Sequence, residues 1–202
     1  TTELLPEDAG AESANQPNNW YFSLDVGNVH FVSIDTETWF YPNQQNVTKP
    51  QLAFIEADLA RAQINRQKVP WIIVYGHRSM YCSCDADCDE SAATLRKDLE
   101  PLLHKFGVDL FVNAHEHNYE RMYAMYNSTY MAGNGSLVEN PDASVYIVTG
   151  DAGNREGHEK FTRDQPAWSA YRSNTFGYSR MQVHNTSHLY WEQVMTDAGE
   201  PE

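Results

Sequence analysis

The chain has 202 residues, with 28 acidic against 14 basic side chains and a formal charge of −14. So acidic a chain makes a poor partner for nucleic acid or an anionic membrane surface, both of which are bound through clustered Lys and Arg. Hydrophobic residues at 41% and aromatics at 12% supply a packed core, and no apolar run approaches the ~20 residues of a membrane-spanning helix.

Residues 1–19 are polar, contain Pro6 and Pro17, and read as an irregular lead-in without the basic-then-apolar pattern of a signal peptide. Trp20, Phe22 and Leu24 alternate across residues 20–26, Gly27-Asn28 signals a turn, and Val29–Ile34 reads as the hairpin partner. Thr48 is a candidate N-cap with Pro50 in the first turn. Leu52, Ile55, Leu59 and Ala62 then recur at helical spacing and predict an amphipathic helix over 49–65. Trp71–Tyr75 is apolar on both faces, as a central strand is. Leu95, Leu99, Leu102 and Leu103 predict a helix over 91–106, and Val108–Val112 a further strand. A long loop around Gly133 and Gly135 precedes a strand at Val145–Val148. Residues 176–195 alternate about Asn185-Thr186-Ser187 as a β-hairpin, and 197–202 form a tail. Strands and helices alternate through the middle with hairpins at both ends, which implies an α/β layered domain: a mixed sheet with helices packed outside.

Cys82, Cys84 and Cys88 lie in one short segment, and no second cysteine pair exists to complete a zinc finger. Sequons at Asn46, Asn127, Asn134 and Asn185 exceed the roughly one that chance supplies at this length, and point to a glycoprotein that is secreted or held in a lysosomal or vacuolar lumen. In that compartment a disulfide such as Cys82–Cys88 forms readily, and the third thiol is then either free or paired with something outside this chain.

The chemistry gathers after the strands. Asp35 and Glu37 follow the first hairpin, His77 and Arg78 follow Tyr75, His115 and His117 follow Val112, and Asp151 follows Val148. Ligands of open α/β sheets bind beyond the carboxyl ends of strands, so imidazoles and carboxylates emerging together there suit a metal. On extended backbone His115 and His117 project to the same side. Either motif alone is as readily a set of loop histidines; it is their combination at equivalent strand ends that points to a metal. Asp85, Asp87 and Asp89 read first as a solvated acidic loop, and second as a filter against highly anionic substrates. Trp39, Phe40 and Tyr41 read as packing before they read as a pocket wall.

Two blocks carry a resemblance. Gly76-His77-Arg78-Ser79-Met80-Tyr81-Cys82-Ser83 and Ala114-His115-Glu116-His117-Asn118-Tyr119-Glu120-Arg121 resemble the last two metal-binding blocks of the purple acid phosphatases, within the calcineurin-like metallophosphoesterases, and are most like the animal-type long form. Trp20–Phe31, Gln51–Ala60 and Val145–Gly157 extend the likeness over roughly residues 18–195. The resemblance implies an α/β/β/α sandwich, of which residues 20–196 form the C-terminal part. It implies hydrolysis of phosphate monoesters at an Fe(III) beside a divalent Zn, Fe or Mn. By position, His77 and His115 are the expected ligands of the divalent metal and His117 of the iron, with Glu120 and Arg121 orienting the loop.

The departures are as informative. The family's first three blocks, Gly-Asp-x-Gly, Gly-Asp-x-x-Tyr and Gly-Asn-His-Glu, supply two aspartates, a tyrosinate, an asparagine and a histidine; Gly150-Asp151 comes after the histidines, out of order to substitute. No histidine follows Ser83 where plant relatives carry substrate-binding ones, and Ser79 stands where a proline is common. The expected partner is therefore the N-terminal half of the same catalytic domain, missing here or carried by another chain. The alternative is a non-catalytic secreted glycoprotein that keeps the fold with at most partial metal binding.

Overall fold

The structure is a computed structural model and describes residues 19–41, 45–84, 87–131 and 136–196. Strands β1 (Phe22–Val26) and β2 (Val29–Ser33) form the expected hairpin, with Phe22 opposite Ser33 and Val26 opposite Val29. Gly27, at φ 57°, allows the tight turn between them. Helix α1 (Gln45–Ile64) returns the chain to β3 (Trp71–Tyr75), which runs parallel to β2. Helices α2 (Asp87–Asp98) and α3 (Glu100–Lys105) lead to β4 (Leu110–Asn113), parallel to β3. Strands β5 (Tyr119–Tyr126) and β6 (Thr129–Met131) make a hairpin. Then β7 (Ser144–Thr149) inserts between β4, to which it is parallel, and β5, to which it is antiparallel. The sheet order is β1-β2-β3-β4-β7-β5-β6, and β8 (Ser169–Ser173) also pairs with β5. Finally β9 (Gly177–Val183) and β10 (Leu189–Met195) form a separate two-stranded sheet about the expected turn.

The layers follow from the period-two alternation of the central strands. Ile72, Val74, Tyr146 and Val148 face one way and pack with Ile55 and Leu59 of α1 and Leu95 of α2. Ile73, Val145 and Ile147 face the other way, toward Met181 and Trp191 of the small sheet. This is a mixed α/β sandwich of helices, large sheet and second sheet. Among the described residues no helix is long and apolar enough to cross a membrane.

Three expectations need correction. Helix α1 begins at Gln45, ahead of the expected 49, and Pro50 lies inside it. Thr48 does not cap it; its hydroxyl donates to the Thr38 carbonyl at 2.9 Å and ties α1 to the short 3-10 turn Thr36–Trp39. The single helix over 91–106 is two, because Pro101 at the start of α3 has no N–H to continue the ladder and its ring clashes with the preceding turn. The stretch read as one long loop before Val145 holds β5 and β6, and β8 was not foreseen. Trp39 is buried and donates through Nε1 to Asp98 at 3.1 Å, whereas Tyr41 is exposed. Most of the lead-in (1–18), the tail (197–202), Asp85, Gly133, Asn134 and Gly135 lie outside the described residues, as do the side chains of Asp87 and Asp89.

Candidate metal centre

The parallel strands β2, β3, β4 and β7 end on one edge of the sheet, and the second residue beyond each is Asp35, His77, His115 and Asp151. The loops that carry them are tied to one another. The amides of Ala114 and His115 donate to the His77 carbonyl at 3.1 and 2.9 Å, and the amides of His77 and Arg78 donate to Thr36 Oγ1 at 3.1 and 2.7 Å. Gly150 fits where no side chain does: a Cβ there would lie 2.0 Å from the Glu116 carbonyl oxygen and 2.4 Å from that of Ala114.

His77 and His115 converge, with His115 Nδ1 2.9 Å from His77 Nε2 and ring centroids 4.7 Å apart. On its far side His115 Nε2 meets Arg78 Nη1 at 3.2 Å. A guanidinium can only donate, so Nε2 is the acceptor and Nδ1 carries the proton shared with His77. Burial, then the Arg78 charge and that of His77, push His115 down to about 4, so the ring is neutral with a lone pair at physiological pH. Arg78 is itself held by Glu37, through Nε at 2.9 Å and Nη2 at 3.1 Å, with its guanidinium 4.6 Å over the Phe40 ring. Glu37 Oε1 also stands 3.8 Å from His77 Nε2.

His117 stands apart from this pair but close enough for its charge to be felt at His115. Its Nδ1 lies 3.7 Å from Glu156 Oε2, and its carbonyl accepts from the Glu159 amide and from His158 Nδ1, each at 3.2 Å. Glu116, between the two histidines, turns the opposite way into the core, where its Oε2 accepts from Cys84 Sγ at 3.1 Å. Glu120 is fully buried in β5 and accepts from the Ser83 amide at 2.8 Å and from the Ser83 and Ser169 hydroxyls, so it bolts the two histidine blocks to β8. Burial raises its pKa and those hydrogen bonds pull against the rise. Arg121 sits one residue on, half-buried, paired in register with Ile147 and Tyr171. Cys82 and Cys88 form a disulfide, and Cys84 is buried beside them. Asn46, Asn127 and Asn185 are exposed, the second at φ 49° in the β5–β6 turn.

Sequence reading missed the Glu37–Arg78 pair and buried Gln51. The latter accepts from the Asp35 amide at 2.7 Å and donates to the Asp35 carbonyl at 2.9 Å, fixing the end of β2. The only sequence signal for Arg78 was its place next to His77.

The chain as a whole resembles known proteins. Calcineurin-like phosphoesterases match the chain over residues 5–119, and an iron/zinc purple acid phosphatase-like C-terminal family matches residues 143–200, so the chain belongs to the calcineurin-like phosphoesterases. Within them it groups with the purple acid phosphatases. Acid phosphatase type 7 of Danio rerio is 43% identical over 197 residues, covering 88% of this chain and 44% of that protein. Purple acid phosphatase 18 of Arabidopsis thaliana is 32% identical, covering 94% and 40%. The purple acid phosphatase PPD1 from yellow lupin seeds superposes with a TM-score of 0.74 at 27% identity, covering 89% of this chain and 31% of that one. The chain thus spans well under half the length of the curated relatives it matches.

Proposed function

We propose that this chain carries the histidine half of a dinuclear centre that hydrolyses phosphate monoesters in acid, completed by an N-terminal half outside these residues. The observation that carries the proposal is the convergence of His77 and His115 beyond adjacent parallel strands, 2.9 Å apart at the facing ring nitrogens. A cation bound there through neutral imidazoles at ~2.0–2.1 Å would take the place of the shared proton, His115 then carrying its proton on Nε2, so the two rings can serve as neighbouring donors. In the proposed assignment His77 and His115 hold a divalent Zn, Fe or Mn, and His117 holds Fe(III). The harder oxygen donors that suit Fe(III) must come from elsewhere. Asp35 Oδ1 is occupied by the Glu37 amide, and Asp151 is fully buried with Oδ2 held by Gln193. An open apolar cavity of about 390 Å³, lined by Leu24, Phe31, Ile73, Tyr75, Met181 and Trp191 between the large sheet and β9–β10, is consistent with further strands completing the second layer.

When bound, the two cations supply positive charge for phosphate oxygens and a water acidic enough to attack below neutral pH. The chain's own residues prepare that site. His115 stays neutral, and so able to ligate, down to about pH 4. Arg78, fixed by Glu37, holds the His115 ring in place before a metal binds. Glu120 locks the loops against each other. Exposed Asn46, Asn127 and Asn185, with the Cys82–Cys88 disulfide, favour a secreted or luminal glycoprotein.

The test uses the full-length protein that includes this chain. Iron in the preparation, a red-purple chromophore and hydrolysis of an aryl phosphate near pH 5 are expected, with His115→Ala losing metal and activity together. Colourless protein without hydrolysis sinks the enzyme and leaves the non-catalytic glycoprotein. Unchanged metal content in His115→Ala removes the ligand assignment.

A further inference from the structure

Behind the histidine loop lies a second group of donors that the proposed hydrolysis does not use. Cys82, Cys84, Cys88 and Glu116 are all buried, and one ligand atom from each lies within 4.8 Å of every other. Glu116 Oε2 is 3.1 Å from Cys84 Sγ, and Oε1 is 3.8 Å from Cys82 Sγ. The Cα atoms of Cys82 and Cys88 are 5.8 Å apart, and these two residues form the disulfide. A disulfide uses two of the three sulfurs and leaves both the third sulfur and the carboxylate aimed at the same point. Three sulfurs and one carboxylate oxygen around one buried point are a tetrahedral donor set of the kind that selects Zn²⁺ over harder cations.

We propose that, with Cys82 and Cys88 in the thiol form, this cluster binds a single thiophilic divalent cation of the Zn²⁺ class, separate from the histidine centre. The disulfide and the metal are alternative fastenings of the same loop, because both use Cys82 and Cys88. The metal form also recruits Cys84 and Glu116, which accounts for a third cysteine buried in a segment where a single disulfide needs two. Through Glu116 the cation anchors the residue between His115 and His117, so its role is to hold the histidine loop from behind.

The experiment takes the full-length protein, reduces it anaerobically with a phosphine, and titrates it with Co²⁺, whose thiolate complexes absorb by sulfur-to-metal charge transfer. One equivalent of this absorption is expected, displaced by Zn²⁺ and absent from the oxidised protein. His115→Ala retains it, which separates this cluster from the histidine centre. Loss of a direct ligand costs at least as much as loss of an outer partner, so Cys84→Ser and Glu116→Gln each weaken Co²⁺ binding by about tenfold or more. Glu116→Gln keeps the size and shape of the side chain, so it decides the matter should Cys84→Ser fail to fold. No charge-transfer absorption in the reduced protein, its loss in His115→Ala, or undiminished affinity in Glu116→Gln overturns the proposal.

Discussion

Replacing Gly150 with alanine puts a methyl group against the backbone that carries the histidines. The new Cβ would lie 2.0 Å from the Glu116 carbonyl oxygen, and ordinary contact begins at 3.4 Å, so the loop must retreat by about 1.4 Å. The obstructing atoms are backbone carbonyls on both sides of His115, with no rotamer to escape into. Overpacking of this sort costs ~1–3 kcal/mol, and the absence of any flexible neighbour puts Gly150→Ala near the upper end. A shift of ~1 Å in positioned groups costs ~100-fold in a site that depends on them. Urea denaturation reads the first quantity and calorimetric metal titration of the full-length protein reads the second. Gly27→Ala is the control: in the β1–β2 turn it has φ +57° and nothing within 4 Å of its would-be Cβ, so it carries backbone strain of about 1–2 kcal/mol without touching the loop. The reasoning fails if Gly150→Ala unfolds like the parent, or if it weakens metal binding no more than Gly27→Ala does.

Three further outcomes follow from the same structure. His30 bridges Asp25 at 2.6 Å and Asp58 at 2.7 Å; burial lowers its pKa, but hydrogen bonds and charge from both aspartates prevail and raise it above 6.5. That stabilisation is complete below pH 6.5 and fades as pH rises through the raised value, so His30→Ala should cost about 2–3 kcal/mol at pH 6 and less at pH 9, by denaturant titration across that range. Glu120→Ala strips the acceptor from the Ser83 amide and from two buried hydroxyls, and should cost about 3 kcal/mol in the same assay; a loss under 1 kcal/mol contradicts the bolt described above. Arg78→Met removes the second-largest cause of the depressed His115 pKa, so NMR titration should find it above 4 yet still below 6.5, because burial remains; no movement would mean that the guanidinium does not face the ring.

What could be read from the chain was what is written locally. The β1–β2 and β9–β10 hairpins carry their turns between alternating residues. Strands β3 and β7 are apolar on both faces because helices cover one side and the small sheet meets the other. The histidines were legible because the strands before them were. Strand β5 was hidden because Glu120, a charge by sequence, occupies a buried position whose hydrogen bonds come from Ser83 and Ser169, 37 and 49 residues away. The Glu37–Arg78 pair spans 41 residues and left no local trace. The start of α1 escaped for the same reason: Thr48 reaches across to Thr38 rather than to its own helix.

The tip of the β9–β10 hairpin is tied to β3 by the bond from Trp71 Nε1 to the Asn185 carbonyl at 3.0 Å. Trp71 opens β3 and His77 follows its far end, so the exposed Asn185 stands a full strand, about 17 Å, from the imidazoles. Bulk attached at that tip, an oligosaccharide included, gathers at the amino edge of the sheet. The edge that carries the histidines lies at the opposite end of the strands from any such bulk.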